Sequence, residues 1–324
     1  MSLEALLAVL ADGQFHSGDD LGQVLGVSRT AVWKQLKKVQ ELGLSLDSIK
    51  GKGYCIHGGL DLLSAEAIEA NLSVEAKTLI ADVELVDIID STNTLAMSKA
   101  VSGGHKGYVC SAERQTAGRG RRGRSWASPY GSNLYFSVVW EFTSGVAALE
   151  GLSLAVGVAV VDALQKVGVS GVQLKWPNDV LHNGRKLAGV LLEMVGDAAG
   201  PCQVAVGIGL NVNMSVESAG SIDQSWVDMK SISRQDVSRS ELLALLLNEL
   251  MPMLAGFERQ GFAAYRDCWQ QLDAYAGQEV FVKLGQDVVV GRAAGVDAAG
   301  AILIETASGQ RKFNGGEVSL RVVE

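Results

Sequence analysis

The sequence predicts a multidomain α+β protein. Three observations carry that prediction: apolar residues at helical spacing near the N-terminus, helix and strand patterns alternating from about Leu62 to Leu272, and short β-branched runs punctuated by glycine after Ala276. They divide the 324 residues into a helical segment (1–61), an α/β segment with a mixed sheet (62–272) and a small β-barrel (273–324).

Composition narrows the function classes. With 48% hydrophobic residues and only 4 prolines the chain is a folded soluble one, and its 38 glycines suit tight turns and close approach to a ligand. A net charge of −8 argues against unspecific coating of nucleic acid, which needs a broad basic surface. Cys55, Cys110, Cys202 and Cys268 show no metal-ligand spacing and fit reduced thiols of a cytoplasmic protein. The longest apolar run, Leu152 to Val161, falls short of the ~20 residues that span a bilayer, so no membrane segment is expected.

In the first segment Leu3, Leu6, Leu7 and Leu10 define one helix, Ser17 caps a second, and Ser28 caps a third over Arg29 to Leu42 with Val32, Leu36 and Val39 on one face. That is helix-turn-helix spacing. The outward face of the third helix offers Arg29, Thr30, Lys34, Lys37 and Lys38, and a basic turn, Lys50-Gly-Lys52-Gly, joins two short strands. The arrangement resembles a winged-helix DNA-binding domain, which implies DNA contacts from Ser28, Arg29, Thr30, Lys34, Lys37, Lys38, Lys50 and Lys52. Trp33 lies one step off the apolar stripe, toward the DNA side or against the wing.

The central segment concentrates the chemistry. A strand over Val83 to Ile89 ends in Asp90-Ser-Thr-Asn93, a strand-to-helix junction that suits either a small polar ligand or a plain helix cap. After a second strand comes Gly118-Arg-Gly-Arg-Arg-Gly-Arg124. It satisfies G-x-G-x-x-G, yet no helix follows, which excludes the dinucleotide fingerprint, and Arg124 in place of lysine excludes a P-loop. What remains is four guanidiniums on a glycine-loosened backbone, with no acidic residue between Glu113 and Glu141. Such a loop is expected to be mobile when empty and to order over a phosphate. Further on stand Lys175-Trp-Pro-Asn-Asp179, an Asn183-Gly184 hairpin turn into Arg185-Lys-Leu-Ala-Gly189, and Gly207-Ile-Gly-Leu-Asn211.

These stretches, in order, are similar to those of the biotin protein ligases, and together with the helix-turn-helix to the bifunctional biotin ligase and biotin-operon repressors. The resemblance implies an N-terminal winged helix-turn-helix, a central α/β catalytic domain with a mixed sheet and an SH3-like C-terminal barrel. It implies biotin and ATP, accompanied by Mg²⁺ without a dedicated acidic cage, as substrates for biotinyl-5′-adenylate. The biotinyl group would pass to a lysine of the biotin carboxyl carrier domain of acetyl-CoA carboxylase. By match of motif, Ser91, Thr92, Asn93, Gln115, Gly118, Gly120, Gly189 and Gly207 would form the biotin site. Arg119, Arg121 and Lys186 would meet the biotin carboxylate and α-phosphate. Arg122, Arg124, Trp126, Lys175, Asn178 and Asn211 would serve ATP, with Trp126 over the adenine. Asp179 would be a proton acceptor, and Glu317 and Arg321 would reach the nucleotide from the last domain. Operator DNA of biotin genes and an adenylate-bound homodimer complete the implied partners. A DNA-binding sensor with decayed catalysis, a lipoate-type ligase and a ligase whose winged helix does not regulate are the alternatives. Intact Lys186 and arginines weigh against decay.

Ser240 to Phe257 reads as a leucine-rich core helix, and Val280 to Leu284, Val288 to Arg292, Ile302 to Glu305, Gln310 to Phe313 and Val318 to Val322 as the strands of the barrel.

Overall fold

Leu6, Leu7 and Leu10 line one side of α1 (Leu3–Leu10) and are fully buried. The computed structural model describes residues 3–196, 200–220, 222–233, 235, 237–284, 287–315 and 318–322. Helix α2 (Gly18–Val24) opens on a reciprocal cap in which Ser17 Oγ accepts from Asp20 N and Asp20 accepts from Ser17 N. Helix α3 (Arg29–Glu41) buries Val32, Leu36 and Val39 against α1 and α2. Strands β1 (Leu46–Ile49) and β2 (Gly53–Ile56) pair antiparallel as the wing. Gly53, at φ 109°, is needed there: a Cβ would lie 2.0 Å from His16 O, and His16 and Tyr54 exchange backbone hydrogen bonds.

The chain then crosses to the central domain through residues 60–64, and this crossing is tied at every step. The Arg239 side chain, 1% exposed, donates to Asp61 O, to Asn133 O and to the Glu113 carboxylate. Glu113 in turn accepts from Leu63 N at 2.7 Å, and Ser64 N donates to Ser240 Oγ at 2.9 Å. Tyr130, from the central domain, is buried in the winged-helix core, its hydroxyl bonded to Asp87.

The central domain opens with α4 (Ala65–Asn71) and α5 (Val74–Leu79). Its sheet comprises β3 (Asp82–Ile89), β4 (Tyr108–Gln115), β5 (Leu134–Phe142), β6 (Val172–Lys175), β7 (Asp179–His182), β8 (Arg185–Gly196) and β9 (Cys202–Leu210). The spatial order is β3-β4-β5-β9-β8-β7-β6, with β3 and β4 parallel and the other pairs antiparallel. Helix α6 (Thr92–Ser102) lies on one face; α7 (Leu152–Lys166) and α9 (Arg239–Gln260) share the main core with the other, and α8 (Met229–Ile232) and α10 (Arg266–Leu272) complete the helices. Two helical segments, Val146–Lys166 and Arg239–Gln260, are long and apolar enough to cross a membrane by length and composition, but more than half of each is buried in the protein. Helix α9, capped by Ser238, starts at Arg239, one residue before the Ser240 start expected from sequence.

The five C-terminal strands are β10 (Glu279–Leu284), β11 (Asp287–Val296), β12 (Ile302–Thr306), β13 (Gly309–Phe313) and β14 (Val318–Val322). They form an antiparallel sheet in the order β13-β12-β11-β10-β14. Among the described residues β13 and β14 do not pair, so the expected barrel is an open sheet by its hydrogen bonds. Nor does this sheet have a core to itself: Val280, Val296, Ile302 and Ile304 join the same cluster as α7 and β6. Trp176 Nε1 donates to Gly300 O across the junction.

Replacing Arg239 by alanine would leave the Glu113 carboxylate and the Asp61 carbonyl buried without their donor. Breaking such a pair from one side costs about 3–5 kcal/mol. Urea unfolding of Arg239→Ala is expected to show a loss of that order; one below about 1 kcal/mol would mean the junction does not depend on this cation.

Candidate functional site

A cavity of about 1320 Å³ opens where the ends of β3 and β4, the arginine loop, the turn before β7 and the first residues of β8 converge beside the C-terminal sheet. At its inner end Ser91, Thr92 and Asn93 are buried yet face the cavity. Ser91 is the N-cap residue of α6 by position, but its side chain makes no capping hydrogen bond. The plain-cap reading of this junction therefore fails for its hydroxyl. Gln115 Oε1 accepts from Thr92 N at 2.9 Å and from Thr92 Oγ1 at 3.2 Å, while Gln115 Nε2 donates to Ser128 Oγ. Ser137, the hydroxyl in the otherwise apolar middle of β5, lies within 2.8 Å of Thr92 Oγ1 and 2.6 Å of Asn93 Oδ1. These contacts hold Thr92, Asn93, Gln115 and Ser137 together before any ligand arrives.

Glycine makes that closeness possible. A Cβ on Gly207 would sit 2.1 Å from Asn93 Oδ1. Gly189 and Gly209 are register partners on β8 and β9 and leave a bare patch on which the Trp126 indole lies; a Cβ on Gly209 would be 2.5 Å from the ring. The Trp126 Nε1 hydrogen is buried without a partner. The indole thus floors the cavity against the sheet in this structure.

The arginine loop is not loose. Gly120 N donates to Arg124 O, Trp126 N to Gly118 O, and Arg119 pairs with Ser125, so the segment closes into a hairpin around a 3-10 turn at Arg121–Gly123. Arg122, at φ 59°, occupies the left-handed region within that turn. Local sequence offered these cations no counter-charge, but the fold supplies one from afar: Glu193 Oε2 is 2.9 Å from Arg119 Nη2. Arg121 donates to Asn178 Oδ1 at 3.2 Å and to the Gly315 carbonyl of the C-terminal sheet. Burial pulls the Arg121 pKa down, countered by Asp179 and reinforced by Arg122 and Arg124. A partly dehydrated guanidinium in this setting favours an incoming anion.

Lys186 Nζ stands 2.7 Å from Asp179 Oδ1, both side chains about 15% exposed (15% and 16%), and 5.3 Å from the Trp126 ring centre. The type I′-like turn at Asn183 and Gly184, with φ of 49° and 73°, sets the β7–β8 hairpin that presents Lys186 beside Asp179. Asn178 Nδ2 donates to Val190 O. Lys175 and Arg321 also line the cavity, whereas Glu317 lies outside the described residues.

Two expected site residues stand outside the cavity lining. Asn211 does not line the cavity: it is buried, and its Nδ2 donates to Lys186 O and Val227 O, bracing the lysine from behind. Gly118 is also absent from the lining. A Cβ there would lie 2.6 Å from Trp126 O, so its place is structural, at the base of the hairpin. Sequence reasoning missed Glu193, Ser137, Ser128 and Tyr275, which lines the cavity with its ring centre 5.5 Å from Lys175 Nζ. A carboxylate or hydroxyl inside an apolar strand was the available signal for the first two.

At the other end of the chain Arg29, Thr30, Lys34, Lys37 and Lys38 are exposed on α3, and Lys50 and Lys52 on the wing. Ser28 Oγ accepts from Ala31 N, so that hydroxyl serves the helix cap. Trp33 is 50% exposed with Lys37 Nζ 3.9 Å from its ring centre, which settles it on the solvent side of α3.

Three family models match consecutive parts of the chain: an HTH domain over residues 2–55, the biotin/lipoate A/B protein ligase family over 85–211, and the biotin protein ligase C terminal domain over 275–321. The bifunctional ligase/repressor BirA of Escherichia coli is 37% identical over 98% of this chain and 97% of its own length. The chain belongs to the biotin protein ligase family. Its similarity extends to BirA of Bacillus subtilis, 28% identical over 96% of this chain and 95% of that protein. The biotin protein ligase of Aquifex aeolicus, solved in complex with biotin and ATP, superposes with a TM-score of 0.64 at 30% identity, covering 75% of this chain and 100% of that one. For this family member the cavity is the shared feature to test first. Gly207→Ala must push Asn93 out of its bonds, and overpacking of this kind costs about 1–3 kcal/mol. Thermal and urea unfolding are expected to show it, with Gly220→Ala, whose nearest contact is at 3.4 Å, as the tolerated control.

Proposed function

We propose that this chain is an ATP-dependent biotin protein ligase and a biotin-responsive repressor of biotin biosynthesis genes. One observation carries the first half: a preorganised polar pocket at Thr92, Asn93 and Gln115 opens into the same cavity as Lys186, Arg119 and Arg121, so a ring and an anion are held at fixed separation. The second half rests on the exposed basic face of α3 and the wing, joined to full-length similarity with proteins named ligase/repressor.

Adenylation joins two anions. A biotin carboxylate oxygen attacks the α-phosphorus of ATP, the bond to the bridging oxygen breaks, and pyrophosphate leaves. Cations aimed at the entering carboxylate and the α-phosphate offset the repulsion and stabilise the charge that builds there. Lys186, oriented by Asp179, and Arg121, which donates to Asn178 and to the Gly315 carbonyl, supply them. Arg122, Arg124, Lys175 and Asn178 surround the space for the triphosphate, and Trp126 offers an indole face to the adenine. Mg²⁺ accompanies ATP; among the described residues no three His, Cys, Asp or Glu side chains stand together to hold a metal, and phosphate oxygens would form most of its shell. In the second step the amine of the carrier lysine, from the biotin carboxyl carrier domain of acetyl-CoA carboxylase, attacks the acyl carbon and AMP leaves. Asp179 accepts the proton once Lys186 has turned to the phosphate.

The division of labour follows residues 1–61 for DNA, 62–272 for catalysis and 273–324 as an SH3-like unit that closes over Arg121. The repressor form is a homodimer of adenylate-bound chains on the operator, and the setting is the cytoplasm.

Incubation with ATP, Mg²⁺, biotin and the carrier domain is expected to give one biotinylated lysine, and no product would sink the ligase reading. Arg121→Gly is expected to release the adenylate at least about tenfold faster, through lost phosphate contacts; unchanged release in a rapid-filtration assay would remove the loop's retaining role. Operator DNA should bind more tightly with biotin and ATP present than without. Equal affinity would leave a ligase whose winged helix does not regulate, and operator response without carrier labelling would leave a sensor.

A further inference from the structure

Glu193 is placed where two parts of the site meet, and neither sequence motifs nor the ligase reading assigns it a role. It lies on β8 opposite Ala205. Its Oε2 accepts from Asn93 Nδ2 at 2.7 Å and stands 2.9 Å from Arg119 Nη2. The other hydrogen of Asn93 Nδ2 goes to Leu191 O at 3.3 Å. Both amide hydrogens of Asn93 are therefore directed at the protein, and a carboxylate held beside a guanidinium can only accept. The amide cannot turn over without placing Oδ1 against Glu193. Asn93 Oδ1 consequently faces Ser137 and the bare Cα of Gly207, and both Asn93 and Gly207 line the cavity.

We propose that Glu193 is a positioning residue for the biotin ring: it fixes Asn93 as an acceptor toward the cavity, matched to a ureido N–H, and anchors Arg119 at the root of the arginine hairpin with the same oxygen. The proposal rests on the ligase reading. It differs from a general structural role because it concerns which atoms Asn93 shows to a ligand. An apolar residue at 193 leaves that orientation to the weaker 3.3 Å bond and leaves Arg119 without its partner. Biotin recognition suffers first, since the ATP side of the cavity is lined by other residues.

Steady-state carrier biotinylation separates the possibilities. Glu193→Ala is expected to raise KM for biotin at least about tenfold, as loss of a ligand hydrogen bond does, with KM for ATP and kcat within about threefold of the parent. Glu193→Gln keeps an acceptor oxygen at the same reach and is expected to recover KM for biotin to within about threefold. Adding Asn93→Ala to Glu193→Ala should cost little more, because the two act through one contact. An unchanged KM for biotin in Glu193→Ala, an equal rise in both KM values, or a Gln variant as impaired as the Ala variant would each overturn the proposal. Glu193→Leu, better suited to a strand, replaces the Ala variant if that one does not fold. Parent protein is assayed alongside: if it labels no carrier the ligase reading has failed, whereas normal parent labelling with unaffected variants refutes the role of Glu193 alone.

Discussion

The guanidinium of Arg239 is the contact on which the arrangement of the two N-terminal parts depends. A nearly fully buried cation must have its donors satisfied, and here they are met by a carbonyl on the linker, a carbonyl beside β5 and a carboxylate on β4. Each partner belongs to a different element. The linker cannot swing away without stranding a charge in a dry interior. Because Glu113 also takes Leu63 N, and Gln115 lies two residues further along the same strand, the junction and the ligand cavity share one rigid piece of backbone.

The cavity itself is built on cations held by acceptors from distant parts of the chain. Arg119 rests on Glu193, Lys186 on Asp179, and Arg121 on an amide and a backbone carbonyl. Three cations crowded without partners would repel one another and draw in water. Held this way they are already oriented before an anion enters. The glycines of β8 and β9 serve the same end by letting the indole and Asn93 approach the sheet more closely than any side chain would permit.

Much of this was legible in the chain. The face of α3, the basic wing and the five glycine-punctuated strands follow from local spacing and charge, which are properties of neighbouring residues. Lys175 to Asp179 and the arginine run marked the site because they place unlike polar groups side by side. What escaped depends on distance along the chain. Glu193 meets Asn93 across β8 and α6, so nothing near either residue betrays the pair. Asn211 carries a polar side chain in a motif yet turns it inward to brace Lys186. Arg239, at a helix start, reads as an ordinary solvated charge. The absence of nearby acids suggested a loose arginine loop, when the neutralising carboxylate came from another strand and the loop's backbone closed on itself.

Tyr130 carries a consequence for how such chains are assembled. The Aquifex ligase matches 75% of this chain over its whole length, so a relative solved with biotin and ATP exists at that smaller size. In the present chain, however, Tyr130 of the central part sits in the winged-helix core, and Leu60 and Leu62 of the crossing pack against the same cluster. The reader of DNA is less a detachable cassette than a graft that has rooted. Cutting at the linker would strip the cover from that ring and leave an oily scar, while moving the winged helix to another protein would leave a hole in its centre.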